Sequence, residues 1–317
     1  MTLLKTIQER GHLRCGVGRE LPGFSLRDKN GNWSGLDVDI CRVISTAIFG
    51  DPSKVEFISA NLNNRFELLL SKEIDLLSRN TSLTLTRDTA IGITFAPTVY
   101  YDGQAFMAHK KLRISSIYQL PKSSSICLKR QTTHVENLRS LFTRTKVSHP
   151  LIVLPNWQQV LTNFKAGKCD VISEDLSALI SRMVSLPNSD QYQILPDVIS
   201  KEPLTPATRS DGPLFTKVVK WSIHAIIAAE EMDIHAKNLR SKIKGQDPLV
   251  KRFFGIIPGN GKALGLPENW TYQIIKKMGN YGEIFERNIG LKSPLKLRRG
   301  LNDLWSNGGL MYAPPFR

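Results

Sequence analysis

Apolar positions along the chain alternate between two spacings, and the alternation predicts strands and helices in turn. Leu13-Arg-Cys-Gly-Val17 reads as a short strand, Asp37 to Phe49 carries apolar residues at helical spacing, and Val55-Glu-Phe-Ile58 is a strand again. A helix from about Asn64 to Ser71 and the strand Ile74-Asp-Leu-Leu-Ser78 complete a βαβαβ unit. The pattern then restarts. Ser125-Ile-Cys-Leu-Lys129 is strand-like, Val135 to Phe142 helical, Pro150-Leu-Ile-Val-Leu154 a strand, Trp157 to Ala166 a helix and Cys169-Asp-Val-Ile-Ser173 a strand. Two such units predict an α/β chain with two open, mostly parallel sheets, each flanked by helices. Sheets of this kind bind ligands at the carboxyl ends of their strands.

Between the units, Tyr100-Tyr-Asp-Gly-Gln-Ala-Phe-Met-Ala-His109 is extended and is expected to cross from one lobe to the other, with Pro203 to Arg209 crossing back. These crossings assign residues 1–104 and 203–317 to the first lobe and 105–202 to the second. A helix from Thr216 to Lys242, apolar on one side through Val218, Val219, Ile223, Ile226, Ile227 and Met232, is expected to pack on the first lobe. The last seventy or so residues are rich in Gly, Pro and Asn and read as an irregular C-terminal extension.

At 317 residues the chain is long for one domain, which agrees with two lobes. No segment has the roughly 18 uninterrupted apolar residues of a spanning helix, and Met1 to Arg10 is an amphipathic helix start, not a leader. Three explanations are open: a mature or trimmed form, a start assigned downstream of the true one, or a cytoplasmic protein. The formal charge of +15 would suit a nucleic-acid binder, but the bases are scattered singly and in pairs such as Lys110-Lys111, Lys276-Lys277 and Arg298-Arg299. Without a basic run or an aromatic-interleaved basic motif, the reading is a solvated basic surface and no nucleic-acid partner. Four cysteines, an even set without a C-x-x-C pair, exclude zinc spacing.

Enzymatic motifs are lacking. The six histidines show no metal-ligand spacing, so no metal or cofactor is expected. Gly259-Asn-Gly-Lys-Ala-Leu-Gly265 lacks the ending of a phosphate loop and reads as an ordinary loop. What stands out is a polar set at predicted strand ends: Ser78 to Asp88 after the third strand of the first unit, then Gln131-Thr132-Thr133 and Glu174-Asp175 in the second. An α-amino acid needs a fork of donors for its carboxylate and an anion for its ammonium group. Arginine, hydroxyls with loop N–H groups, and aspartate supply these. On spacing alone, a surface arginine and a helix-capping aspartate fit equally well.

These residues resemble the amino-acid-binding proteins of bacterial ABC importers, in particular the general L-amino-acid type. The likeness runs over almost the whole chain, through Leu13-Arg-Cys-Gly-Val, Gly31-Asn-Trp-Ser-Gly-Leu-Asp-Val-Asp-Ile-Cys41, Ile74-Asp-Leu-Leu-Ser-Arg-Asn-Thr, Arg87-Asp-Thr-Ala, Tyr100-Tyr-Asp-Gly-Gln, Ile199-Ser-Lys-Glu-Pro-Leu204 and the tail from Gly279 to Arg317. The resemblance implies the two-lobed type II periplasmic-binding fold and a periplasmic, non-enzymatic monomer that captures free L-amino acids of many kinds. It passes them to a membrane permease with its cytoplasmic ATPase. It further implies that Arg87, Ser82 and the backbone of Asn80 hold the ligand's carboxylate with Thr133, and that Asp175 holds the ammonium group, so that both lobes share the zwitterion. Disulfides Cys15–Cys41 and Cys127–Cys169 follow from the same likeness. The chain departs from the family pattern at Gly18-Arg19-Glu20 and at Gln131, where the family carries glycine before the Thr-Thr pair. A fold relative with dehydratase or lyase activity, or a basic surface-binding protein, are the alternatives to a receptor.

Overall fold

In the computed structural model, which describes residues 2–317, the chain divides into two compact units: residues up to Tyr100 together with Leu204–Arg317, and Tyr101–Pro203. In the first unit Leu13, Cys15 and Val17 are fully buried, and their strand, Leu13–Val17, pairs in parallel with Val55–Ser59 on one side and Leu76–Leu77 on the other. Ala207–Arg209 follows, antiparallel to Leu76–Leu77, and Ile93–Phe95 closes the five-stranded sheet. Leu36–Phe49 is buried on nearly every side, with Leu36, Val38, Ile40, Val43 and Ile44 wholly covered and the polar Asp37, Asp39, Ser45 and Thr46 buried among them. Its buried Asp39 carboxylate is satisfied by Arg42 (3.1 Å), Arg287 (2.7 Å) and Asn288 (2.7 Å).

The second unit repeats this plan. Leu151–Leu154, Ile126–Lys129 and Val171–Asp175 run in parallel, followed by the antiparallel Gln104–His109 and then Tyr192–Ile194. The stretch expected to cross does pass from the first unit to the second, between Tyr100 and Tyr101, and then runs on as a strand of this sheet. Gln104–His109 is buried at every position because both faces are covered: Phe106 and Ala108 pack with Leu128 and Leu138, while Ala105 and Met107 pack with Cys127 and Phe164. Its neighbours are about 65 and 85 residues away in sequence, a pairing that no local pattern displays.

Three expectations are corrected. The helix predicted over Thr216 to Lys242 runs from Pro213 to Glu231, starting on a proline in its first turn. It ends because Asp233 takes a left-handed φ of +50°, and the Asn238 side chain grips the turn, accepting from His235 N (2.9 Å) and donating to Asp233 O (2.8 Å). A separate short helix, Leu239–Lys244, follows. The C-terminal segment is not irregular up to residue 288: it forms the helices Pro248–Phe253, Asn260–Leu264, Trp270–Met278 and Tyr281–Asn288. Trp270, Ile274, Ile275, Tyr281, Ile284 and Phe285 are buried, and Asn280 with Glu283 forms a capping box. Gly259 to Gly265, read as a loop, thus contains a helical turn, its start held by Glu268 accepting from the N–H groups of Gly259, Gly261 and Lys262.

Cys15 is bonded to Cys41, tying the first strand to the helix above it with Cα atoms 6.2 Å apart. Cys127, in the strand Ile126–Lys129, is bonded to Cys169, two residues before the neighbouring strand Val171–Asp175, Cα to Cα 5.8 Å. This is the pairing implied by the family likeness. Among the described residues no helix is long and apolar enough to cross a membrane.

Candidate ligand-binding site

In the first unit, the loop after Leu76–Leu77 is fixed to the sheet before it reaches the candidate residues. Ser78 donates from its backbone to Gly16 O and from its hydroxyl to Asp37 O, both at 2.9 Å. The Asn80 N–H, assigned by resemblance to the ligand, donates to the buried Asp37 carboxylate at 3.2 Å. Burial pushes Asp37 up to about 7, against the pull of that hydrogen bond and of Arg79. Two residues on, Ser82 is buried and bridges to Leu204 in the sheet. Thr84 caps the helix Leu85–Ala90, accepting from Arg87 N, and the Arg87 guanidinium folds back so that Nη1 donates to Ser82 O at 2.7 Å. Asn80, Ser82 and Arg87 thus lie in one loop and its following turn, with the guanidinium half-buried and not splayed on the surface.

Two further arginines, which sequence reasoning did not assign to the site, join Arg87. Arg65 is only 3% exposed, and its guanidinium carbon lies 4.5 Å from the Phe66 ring centre, with Arg87 5.9 Å from the same ring. Arg79 donates from Nε to Ala60 O at 3.0 Å. Burial, then repulsion from Arg79 and Arg87, works against the charged form of Arg65. Arg65 follows the strand Val55–Ser59, and Arg79 and Arg87 follow Leu76–Leu77. The carboxyl ends of this sheet are therefore rich in guanidinium.

The carboxyl ends of the second sheet carry the opposite charge. Asp175 ends the strand Val171–Asp175 and precedes the helix Leu176–Val184, yet its side chain makes no capping bond. Instead Oδ1 meets His134 Nε2 at 3.0 Å, and Oδ2 has no hydrogen bond among the described residues. The helix-capping alternative for this residue is therefore excluded. Thr133 donates to both oxygens of Glu202 at 3.0 Å, and Glu202 also accepts from Asn137 Nδ2 (2.9 Å) and Ser200 Oγ (2.9 Å). Thr133 and Asp175 are brought together through His134 and Glu202: one ligating atom each from His134, Asp175 and Glu202 falls within 4.8 Å of the others, and all three residues are buried. Buried oxygens at this spacing suit a small cation such as an ammonium group.

Electrostatics agree. Burial alone would lower the His134 imidazole, but its bond to Asp175 and the charges of Asp175, Glu202 and Glu174 hold it above its ordinary value. Burial and the neighbouring Asp175 push Asp102 up to about 8, although Ser177 and the Gly103 N–H donate to it. Glu174 is raised by burial and paired with Arg182 through two bonds of 2.5 and 3.0 Å. Gln104 donates from Nε2 to His134 O (3.2 Å) and Ser173 Oγ (2.8 Å), fixing the helix start against the strand.

The two departures from the family pattern have plain structural expressions. Gln131 holds a left-handed φ of +62° and is exposed, so the backbone conformation suited to glycine is kept in spite of the side chain. Arg19 and Glu20 are exposed, and Glu20–Leu21 pairs with Ser25–Arg27 in a small hairpin. Of the residues missed in sequence, Arg79 and Glu202 sit inside runs already singled out, and His134 adjoins Thr133. Arg65 had no local signature beyond opening a helix.

Two α/β units, each with three parallel strands followed by an antiparallel strand and an edge strand, with cations at the strand ends of one and anions at those of the other, define a solute-binding protein of the type II periplasmic fold. The chain belongs to the bacterial extracellular solute-binding proteins, family 3, whose model matches residues 13–149. It is 44% identical to the general L-amino acid-binding periplasmic protein AapJ of Rhizobium johnstonii over 100% of this chain and 93% of that one. To the glutamate/glutamine/aspartate/asparagine-binding protein BztA of Rhodobacter capsulatus it is 39% identical, over 99% and 93%. The solved structure of an ABC transporter periplasmic binding protein from Brucella ovis with glutathione bound superposes with a TM-score of 0.96 at 41% identity, covering both chains fully.

Proposed function

We propose that this protein is the receptor of an ABC importer for free L-amino acids, gripping the α-carboxylate and α-ammonium common to all of them and accepting many side chains. Arg87, the Ser82 side chain and the Asn80 backbone take the carboxylate together with Thr133, and Asp175, with Glu202 close by, takes the ammonium group. The observation that carries this reading is the segregation of charge between the strand ends of the two units, arginines in one and carboxylates in the other. Names of relatives at 39–44% identity over nearly the whole chain support amino acids as the cargo and an ABC permease with its ATPase as the recipient. Glutathione, found on the Brucella ovis relative, carries the same α-amino-acid head on its γ-glutamyl residue, so a head-group grip accommodates it as well. The two compact units serve as the two lobes of a periplasmic monomer with no nucleic-acid partner; two buried disulfides and scattered basic charge support that setting. Titration calorimetry with the twenty amino acids tests the reading: binding of several chemically unlike ones is expected, and no heat with any of them overturns it.

A further inference from the structure

Arg65 has features that a head-group grip leaves unused. It is 3% exposed, and among the described residues its Nε has no hydrogen-bond partner and its one side-chain bond is a long one, Nη1 to Leu62 O at 3.4 Å. Among the described residues no carboxylate lies within ion-pair distance of it. A guanidinium does not shed its proton readily, so a buried one without an anion is costly, and here Arg79 and Arg87 add like charge. Stacking on Phe66 offsets only part of this. A ligand α-carboxylate brings one negative charge, which Arg87 and Ser82 take up. The charge on Arg65 then remains uncompensated, at the carboxyl end of a parallel strand where such sheets receive ligands.

We propose that Arg65, backed by Arg79, is a second anion subsite on the first unit that receives a carboxylate on the ligand's side chain, so that dicarboxylic amino acids are favoured over their amides. The inference rests on the amino-acid-receptor reading and narrows it. Glutamate and glutamine differ only in that a carboxylate replaces a carboxamide, as do aspartate and asparagine, so any difference within a pair reports the extra charge. A desolvated charge pair at a binding site is worth enough to give glutamate an advantage of about tenfold or more. Arg65→Gln should bring the glutamate-to-glutamine ratio close to one, and Arg65→Lys, which keeps the charge but not the fork, should leave part of it.

The test is calorimetry of the full, disulfide-bonded chain with glutamate, glutamine, aspartate, asparagine and alanine, on wild type, Arg65→Gln and Arg65→Lys, with circular dichroism and melting to confirm folding. A wild-type preference for both acids that collapses in folded Arg65→Gln supports the subsite. Equal wild-type affinities within each pair, or a preference unchanged in folded Arg65→Gln, overturn it. Should Arg65→Gln fail to fold, a wild-type preference undiminished in Arg65→Lys overturns it and a diminished one supports it. Alanine binding beside equal acid and amide affinities removes the subsite while leaving the receptor reading standing; absence of all binding removes the receptor reading itself.

Discussion

Replacing both Cys127 and Cys169 with alanine removes a cross-link whose ends lie 42 residues apart in a unit of about a hundred residues. In the chain-entropy account, closing a loop of that length restricts the unfolded chain by about 4 kcal/mol at 25 °C. Both sulfurs are fully buried among Met107, Phe164 and Ile172, so alanine preserves the apolar character and adds only a small packing loss. Against a domain stability of about 5–15 kcal/mol, this is a large fraction. At about 4–8 °C per kcal/mol for a unit of this size, the second unit should melt some 15–30 °C lower. Scanning calorimetry measures the shift, and hydrogen exchange followed by mass spectrometry locates it: protection should fall across Tyr101–Pro203 and hold in the Leu13–Val17 and Val55–Ser59 strands. A melting point lowered by less than about 5 °C, or protection lost equally in both units, would refute the reasoning that this bond acts by restraining its own unit's unfolded chain.

The remaining predictions concern the site. Arg87→Ala should lower amino-acid affinity by at least about a hundredfold while the melting point stays within a few degrees, and Arg87→Lys should restore little, because a point charge does not replace the fork; calorimetry and melting curves check both. Asp102→Asn should stabilise the second unit at pH 7 but not at pH 4. The raised folded value, about 8, means that the folded state holds a proton the unfolded state releases near 4, so stability falls as pH rises through that window and the amide abolishes the fall; melting from pH 4 to 8 reads it. Gln131→Gly should raise stability by about 0.5–1 kcal/mol, relief of the left-handed φ exceeding the added freedom of the unfolded chain, as read by chemical denaturation.

Elements whose partners lie nearby in sequence were legible. Leu13–Val17, Val55–Ser59 and the helices between and after them follow from apolar spacing, since each βαβ step packs on its immediate neighbours. Gln104–His109 was legible as extended but not as an inner strand of the second sheet, because its burial on both faces comes from residues far along the chain. The helices Trp270–Met278 and Tyr281–Asn288 did carry signals, four buried apolar residues at helical spacing in the first and the Asn280–Glu283 box in the second, but flanking Gly, Pro and Asn outweighed them in the reading. In the site, Arg87 and Asp175 were placed by family likeness, since spacing left a surface arginine and a helix cap equally open. The His134 and Glu202 contacts arise only when the sheet brings residues 133, 134, 175 and 202 to one end.

The central claim, a grip on both charges of the ligand's head group, is tested most directly by titrating the wild-type protein with one amino acid it binds and with that compound's carboxamide and des-amino analogues. Each truncation leaves buried charged groups without their partner, so both analogues should lose at least about a thousandfold in affinity. Either analogue binding within about tenfold of the parent amino acid would contradict the account.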